Sequence, residues 1–313
     1  DELKQVIADI KSAGLDVTEE GDIEDFLGVN IDRVDDDTYH LSQPHLIEQI
    51  LCDLNLDGEN VQTKETPSPL SGVLGAHKSS PEFDGHFHHR SVIGKLNCLE
   101  KRSRPDIACA THQCARFSSD PRKEHGEAVK WLGQHLRATR DKGICIRPTD
   151  DTFKVWADAD FGGNWISEEA KEESDKARSR LGHIMSHLGC PTLWKSQLQT
   201  EIALSSAESE CIALSQAARK VKPLMLLIQE TKKEGFNVGC STPMVKCALF
   251  EDNSGTVHLA NSPSMRPRNK HTNVKCHHFR SMVASHALKI KKTSSDEQLA
   301  DFLTKQSSVE LCL

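Results

Sequence analysis

Apolar positions recur along this chain at two spacings, and the pattern changes near residue 150. In the first half the spacing is mostly helical. Leu3, Val6, Ile7 and Ile10 follow one another at three- and four-residue steps, and Gly14 ends that element. Residues 23–33 and 38–42 alternate as two strands joined at Asp35-Asp36-Asp37, which predicts a hairpin. Pro44 opens a helix whose apolar face carries Leu46, Ile47, Ile50, Leu51 and Leu54. The Pro-, Ser- and Gly-rich stretch 61–86 predicts a linker or long loop. Helical segments follow over 91–117, interrupted at Pro105, and over 125–139.

From Thr152 strands dominate. Phe-Lys-Val-Trp-Ala-Asp-Ala-Asp, residues 153–160, predicts a strand ending in two carboxylates; at a period of two, Trp156, Asp158 and Asp160 share a face. Residues 180–188 and 192–199 suggest two more strands. A long helix is expected over 206–234, kinked or broken near Pro223. Its apolar stripe runs through Ala207, Leu214, Ala217 and Val221, and Glu210 lies in that stripe, where a carboxylate is either costly or purposeful. Glu208 faces elsewhere and reads as an ordinary polar position. A strand over 244–252 again ends in acid, at Glu251 and Asp252, with Asn253 or Ser254 placed to cap a helix. A basic helix is expected over 272–286 and a strand over 288–292. A last helix begins at Ser294-Ser295 with a capping-box pattern and carries Asp301 among Leu299, Phe302 and Leu303. The second half thus reads β-β-β-α-β-α-α-β-α.

The composition adds constraints. A chain of 313 residues is long enough for two domains, with a division expected between 1–150 and 151–313, and its 37% apolar content can build cores. No apolar run approaches the length of a membrane span. The absence of an initiator Met and of a signal-like segment suggests a piece of something longer. Eleven scattered cysteines without metal-ligand spacing argue for a reducing compartment and against a disulfide framework. His86, His88 and His89 lie in a loop without cysteine partners, a weak metal signal. Net charge is −7, yet residues 253–295 hold no acid before Asp296 and carry Arg266, Arg268, Lys270, Lys275, Arg280, Lys289, Lys291 and Lys292. A basic strip on an acidic chain is the footprint of a phosphate-backbone contact; its bland counterpart is a solvated helix face.

Acids therefore fall at one strand end, in a helix stripe, at a second strand end and on a terminal element. If they converge, their mutual repulsion calls for cations. Oxygen ligands suit Mg2+ or Mn2+, and two such ions about 4 Å apart can clamp the attacking water and leaving oxygen of an in-line phosphodiester cleavage.

In this order the residues resemble the C-terminal part of copia-type LTR retrotransposon polyproteins over essentially the whole chain. DIEDFLGVNI, LSQPHLIEQIL and RSVIGKLNCLEKRSRPDIACATHQCARF are similar to the end of the reverse transcriptase palm and its thumb and connection. VWADADFGGNW, LWKSQLQTEIALSSAESECIALSQAA, LFEDNSGTVHLAN, RNKHTNVKCHHFR and DEQLADFLTK are similar to successive ribonuclease H blocks. The resemblance implies an α/β fold class: an α+β thumb and connection remnant over 1–150, then a ribonuclease H-like mixed five-stranded sheet with flanking helices over 151–313. It implies Asp158, Glu210, Asp252 and Asp301 as the catalytic, metal-binding acids with two Mg2+ or Mn2+ ions. The implied activity is endonucleolytic cleavage of the RNA strand of an RNA:DNA hybrid, recognised by A-form shape and 2′-hydroxyls. Lys270, His271, Lys275 and Arg280 are the candidate nucleic-acid contacts. Other expected partners are the upstream polymerase and integrase parts of a polyprotein, with no membrane and no small-molecule cofactor. The setting implied is intracellular: a cytoplasmic virus-like particle, and the nucleus.

No Tyr-x-Asp-Asp polymerase motif occurs in this chain, so polymerisation is not expected of it. The family usually has Tyr where this chain has Cys98, Cys109, Cys211, Cys276 and often His183. Those replacements suggest a lineage-specific shift or a decayed copy. An inert relic or hybrid-binding module is therefore the alternative to an active nuclease, and a cellular DNA-processing nuclease is a more distant one.

Overall fold

The computed structural model describes residues 2–15, 24–69, 74–76, 79–165, 174–236, 238, 245–262, 279–280 and 282–305. Helix α1 spans Glu2–Ser12. Strands β1 (Asp25–Phe26), β2 (Val29–Arg33), β3 (Tyr39–Ser42) and β4 (Ile144–Ile146) form an antiparallel sheet in the order β1-β2-β3-β4. The turn at Asp35-Asp36-Asp37 joins β2 to β3 as expected. The single strand expected over 23–33 instead folds back at Leu27 and Gly28, whose φ angles of 55° and 74° lie in the left-handed region. β4 was not expected; three residues are too few for an alternation to register.

Helices α2 (Pro44–Asp53), α3 (His89–Arg102), α4 (Ala108–Ala115) and α5 (Lys123–Ala138) accompany that sheet. Ile47, Ile50, Leu54, Leu96, Leu99, Leu132 and Leu136 form their common core. α2 begins with Pro44 in its first turn, where a missing N–H costs nothing. The break between α3 and α4 falls at Pro105, as expected. Gly133 is required by close approach, because a Cβ there would stand 2.6 Å from a Leu54 methyl. Of the two alternatives expected between α2 and α3, the described residues of that stretch pack as a long loop. Thr66 accepts from Trp131 Nε1 at 3.0 Å, Lys64 lies over the same indole, and Phe83 and Val61 pack on the core.

The second sheet comprises β5 (Phe153–Asp160), β6 (Arg180–His187), β7 (Cys190–Leu198), β8 (Cys247–Glu251) and β9 (Leu288–Lys292), in the order β7-β6-β5-β8-β9. β5, β6 and β7 are antiparallel, whereas β8 and β9 run parallel to β5. Helices α6 (Ser206–Lys233) and α7 (Ser254–Asn261) flank it. This is the mixed five-stranded, ribonuclease H-like sheet expected. Val155, Ala157, Leu181, Met185, Leu214, Ala217, Val221 and Leu249 bury against one another between sheet and α6. Each Val, Leu or Met side chain among them contributes roughly 1.5–3 kcal/mol when fully buried, and each Ala less.

Two expectations in this half are corrected, one of them in part. The break expected near Pro223 does not occur, and α6 runs unbroken from Ser206 to Lys233. Pro223 lies on the exposed face while Val221 and Met225 are buried on either side, so packing holds the helix across the lost hydrogen bond. The last helix is replaced by two short 3-10 turns, Ser295–Glu297 and Asp301–Leu303. The side chains of the predicted capping box do meet, Ser294 Oγ donating to Glu297 Oε2 at 3.0 Å, but neither caps a backbone N–H. Gln298 then leaves helical geometry, and its buried side chain donates to the Ala157 carbonyl at 2.9 Å. Among the described residues no helix is long and apolar enough to cross a membrane.

The two halves meet on the outer face of the second sheet. Ala108 of α4 packs with Ile184, Ala300, Phe302 and Leu303. Trp194 Nε1 donates to the Glu100 carbonyl at 2.7 Å, and Arg180, fully buried, donates to His112 and to Ser196 Oγ.

Candidate metal centre

Parallel pairing of β5 with β8 brings two chain segments' carboxyl ends to one edge of the sheet. Trp156 pairs with Phe250, so two residues further along Asp158 comes level with Asp252. α6 lies across β5 and contributes Glu210. The helix starts cleanly because Ser205 accepts from the Glu208 N–H, and Glu208 Oε2 accepts from the Leu204 N–H at 2.9 Å. Glu208 is therefore a buried capping residue rather than an ordinary polar one. One carboxylate oxygen each from Asp158, Glu210 and Asp252 lies within 4.8 Å of the others. Asp158 is 4% exposed and Glu210 6%, so the cluster has little water to disperse its charge.

The electrostatics follow from that crowding. Burial first, then the charges of Asp301 and Asp252, raise Asp158 to about 6, against the opposing Thr304 hydroxyl and Lys305. Burial and the charges of Glu251, Asp158 and Asp252 push Glu210 far above the usual carboxylate range. Glu251, fully buried, is raised well above its ordinary value, again chiefly by burial. Glu251 Oε1 accepts from the Asn253 N–H at 3.0 Å, whereas Glu251 Oε2 and Glu210 Oε2 are buried with no hydrogen-bond partner. Buried carboxylate oxygens without donors, grouped within ion-binding distance, form a donor set that fits a hard divalent cation.

Asp301 stands beside this trio and outside it. Its Oδ1 is paired with Lys305 Nζ, and in the same turn the Thr304 hydroxyl hydrogen-bonds Asp158 Oδ2. Asp160 is also lifted by burial, with Lys305 and Arg180 opposing. A Cβ at Gly163 would displace the Asp160 carboxylate from its present position.

Of the candidate nucleic-acid contacts, Lys270, His271 and Lys275 lie outside the described residues, as does most of the helix expected over 272–286. Arg280 is described and half-buried. Lys289, Lys291 and Lys292 of the basic strip are exposed on β9, an edge strand, where lysines also discourage pairing with another chain. The histidines at 86–89 do not converge: His86 contacts Asp84, His88 caps α3, and His89 is buried.

Glu251 was read from the sequence only as a strand-end acid and not as part of the site, and Thr304 and Lys305 were not singled out. Glu251 had a signal, because Cys247, Leu249 and Glu251 share the buried side of β8. Lys305 had one in its i,i+4 spacing from Asp301, and Thr304 had none, since its partner Asp158 is set by tertiary folding.

No protein-family model matches the chain. The Pol polyprotein of transposon TNT 1-94 from Nicotiana tabacum is 31% identical over 323 residues, covering 99% of this chain and 23% of the polyprotein. That of transposon RE1 from Arabidopsis thaliana is 30% identical over 287 residues, 90% of this chain and 18% of the polyprotein. The chain thus spans about a fifth of the length of these curated relatives. Among solved structures, LC11-RNase H1, isolated from compost, aligns over 49% of this chain and 92% of its own, at 13% identity and a TM-score of 0.35.

Proposed function

The chain belongs to the Pol polyproteins of copia-type retrotransposons, and on that footing we propose that its second half, 151–313, is a metal-dependent ribonuclease H that cuts the RNA strand of an RNA:DNA hybrid. The observation that carries this reading is the convergence of Asp158, Glu210 and Asp252, two of them buried and all within 4.8 Å at one sheet edge. These three, with Asp301 beside them, would hold two Mg2+ or Mn2+ ions. When bound, such ions activate water and neutralise charge on the leaving oxygen. The protein's own part is to fix the acids. Asp158 is held at a strand end by Thr304, Glu210 by the rigid first turns of α6, and Asp252 by Ser295 Oγ at 2.8 Å. Negative charge held this densely also repels phosphate, so substrate approach depends on the cations that offset it.

The first half, 1–150, acts in this reading as a thumb and connection remnant that backs the nuclease sheet and grips the hybrid. α4 is the element that supports it, through Ala108 and the His112–Arg180 contact. Lys270, His271, Lys275 and Arg280 serve as the phosphate contacts, and the upstream polymerase and integrase parts of the polyprotein as partners. A second reading, a hybrid-binding relic without activity, is favoured by one feature. His183 is buried with neither ring nitrogen hydrogen-bonded, at a position where the family often has Tyr.

Cleavage of a labelled RNA:DNA hybrid in Mg2+ distinguishes the readings. The nuclease reading expects products from the wild type and a loss of at least about a hundredfold in Asp158→Asn, the order seen when charge stabilisation is removed from a reacting centre. A wild type shown to be folded by circular dichroism, yet inert toward hybrid, would establish the relic.

A further inference from the structure

The turn 301–305 closes one side of the carboxylate cluster with the protein's own donors. Lys305 Nζ is paired with Asp301 Oδ1, and the Thr304 hydroxyl, buried, hydrogen-bonds Asp158 Oδ2. Each donor engages an acid that faces the cluster from a different direction: Asp158 from β5, Asp301 from the turn itself. The remaining acids, Glu210 and Asp252, offer oxygens to the shared site, and Glu210 Oε2 has no donor. The cluster therefore has one side, at Glu210, where a buried oxygen lacks a donor, and a side already occupied by a cation. Asp301 is the closest partner of Lys305, and the charges of Asp158 and Asp160 also act on it. Its side chain remains half exposed, at 51%. A flexible four-carbon stem with an exposed route can swing its ammonium to another anion without disturbing the core.

We propose that Lys305 is a resident cation occupying the Asp301 side of the cluster, so that a second divalent ion binds there weakly while Lys305 is in place and tightly when a nucleic-acid phosphate draws Lys305 away. This inference rests on the metal-centre reading above and deepens it. The first ion has an open position among Asp158, Glu210 and Asp252. The second must compete with a tethered positive charge for Asp301 and for the remaining oxygen of Asp158. A phosphate backbone offers Lys305 an alternative anion, so substrate and second ion favour each other by exchanging the lysine between them. Two sites coupled in this way must show the coupling reciprocally.

The test is Mn2+ binding to the full chain without nucleic acid, followed by calorimetry and by the electron paramagnetic resonance signal of free Mn2+. The wild type is compared with Lys305→Gln, which removes the charge, and Lys305→Arg, which keeps it. The expected result is one tight and one weak site in the wild type and in Lys305→Arg. In Lys305→Gln the weak site tightens about tenfold, because a charge a few ångströms from the ion is gone. Circular dichroism confirms folding, which an exposed side chain leaves intact. Equal Mn2+ binding by wild type and Lys305→Gln overturns the role of Lys305 while leaving the metal centre standing. No Mn2+ binding by any of the three, or binding unaffected by Asp158→Asn, overturns the metal centre and the lysine's role with it.

Discussion

Two acids in the two halves of this chain show how burial can serve opposite purposes. Asp106 lies beside Arg104, which reaches it with Nε at 2.9 Å and Nη2 at 2.7 Å, and His135 stands 3.6 Å away. Burial alone would raise Asp106, but the guanidinium and His135 outweigh it and hold the carboxyl far below its usual range. Asp158 is buried among other acids, and there burial prevails and lifts it to about 6. The first arrangement completes its own charge balance and fastens α5 to the turn before α4, since Arg104 also donates to the Thr139 carbonyl. The second leaves its balance open. A fold that spends scarce stability on unbalanced charge does so where something else is to supply the counter-charge.

The largest expected effect comes from breaking the balanced pair. Arg104→Ala leaves Asp106 with only His135, and the chain should lose about 3 kcal/mol or more in urea denaturation. Next is Glu210→Gln at the unbalanced end. Glu210 has a folded-state pKa raised above its unfolded value of 4.5, so its contribution is fully present below pH 4.5 and is lost as pH rises above it. Without divalent ions, Glu210→Gln should match the wild type at pH 4.5 and exceed it by about 2 kcal/mol at pH 7, measured by denaturation across that range. A flat difference would mean that the cluster is not repulsive. The smallest effect belongs to His183. Burial lowers it to about 4, with the charges of Lys195 and Lys220 adding to the effect. The folded state then resists a proton that the unfolded chain accepts, and stability falls as pH drops from 6.5 toward 4. His183→Tyr should gain about 1 kcal/mol at pH 7, where an unpartnered imidazole gives way to a larger aromatic surface, and more at pH 5. A variant that is less stable at both pH values would show that the pocket has closed around histidine.

How much of this was visible in the residues differs between the same two regions. β5 could be read from its alternation, and Glu210 from its place in an apolar stripe, because both signals are local and periodic. The matching level of Asp158 and Asp252 needs the β5–β8 register, which alternation does not specify. Thr304 meets Asp158 across 146 residues of chain, and no spacing rule foretells that. The terminal capping-box residues meet only through their side chains, and the helix they announced did not follow, because Gln298 found a better partner in the Ala157 carbonyl. In the first half, Arg104 and Asp106 were adjacent in sequence but unremarked, since a charged pair two residues apart is usually solvated. It is the enclosure by α5 that makes it a buried clamp.

The central claim is that the carboxylates at the sheet edge form an incomplete charge assembly awaiting divalent ions. It is tested most directly by thermal melting of the wild type and Glu210→Gln at pH 8, with and without Mn2+. The account predicts that Mn2+ at about a hundred times its dissociation constant stabilises the wild type by about 2.7 kcal/mol, a rise of several degrees, and leaves Glu210→Gln nearly unmoved. A wild type whose melting temperature ignores Mn2+ while the protein is demonstrably folded would contradict it.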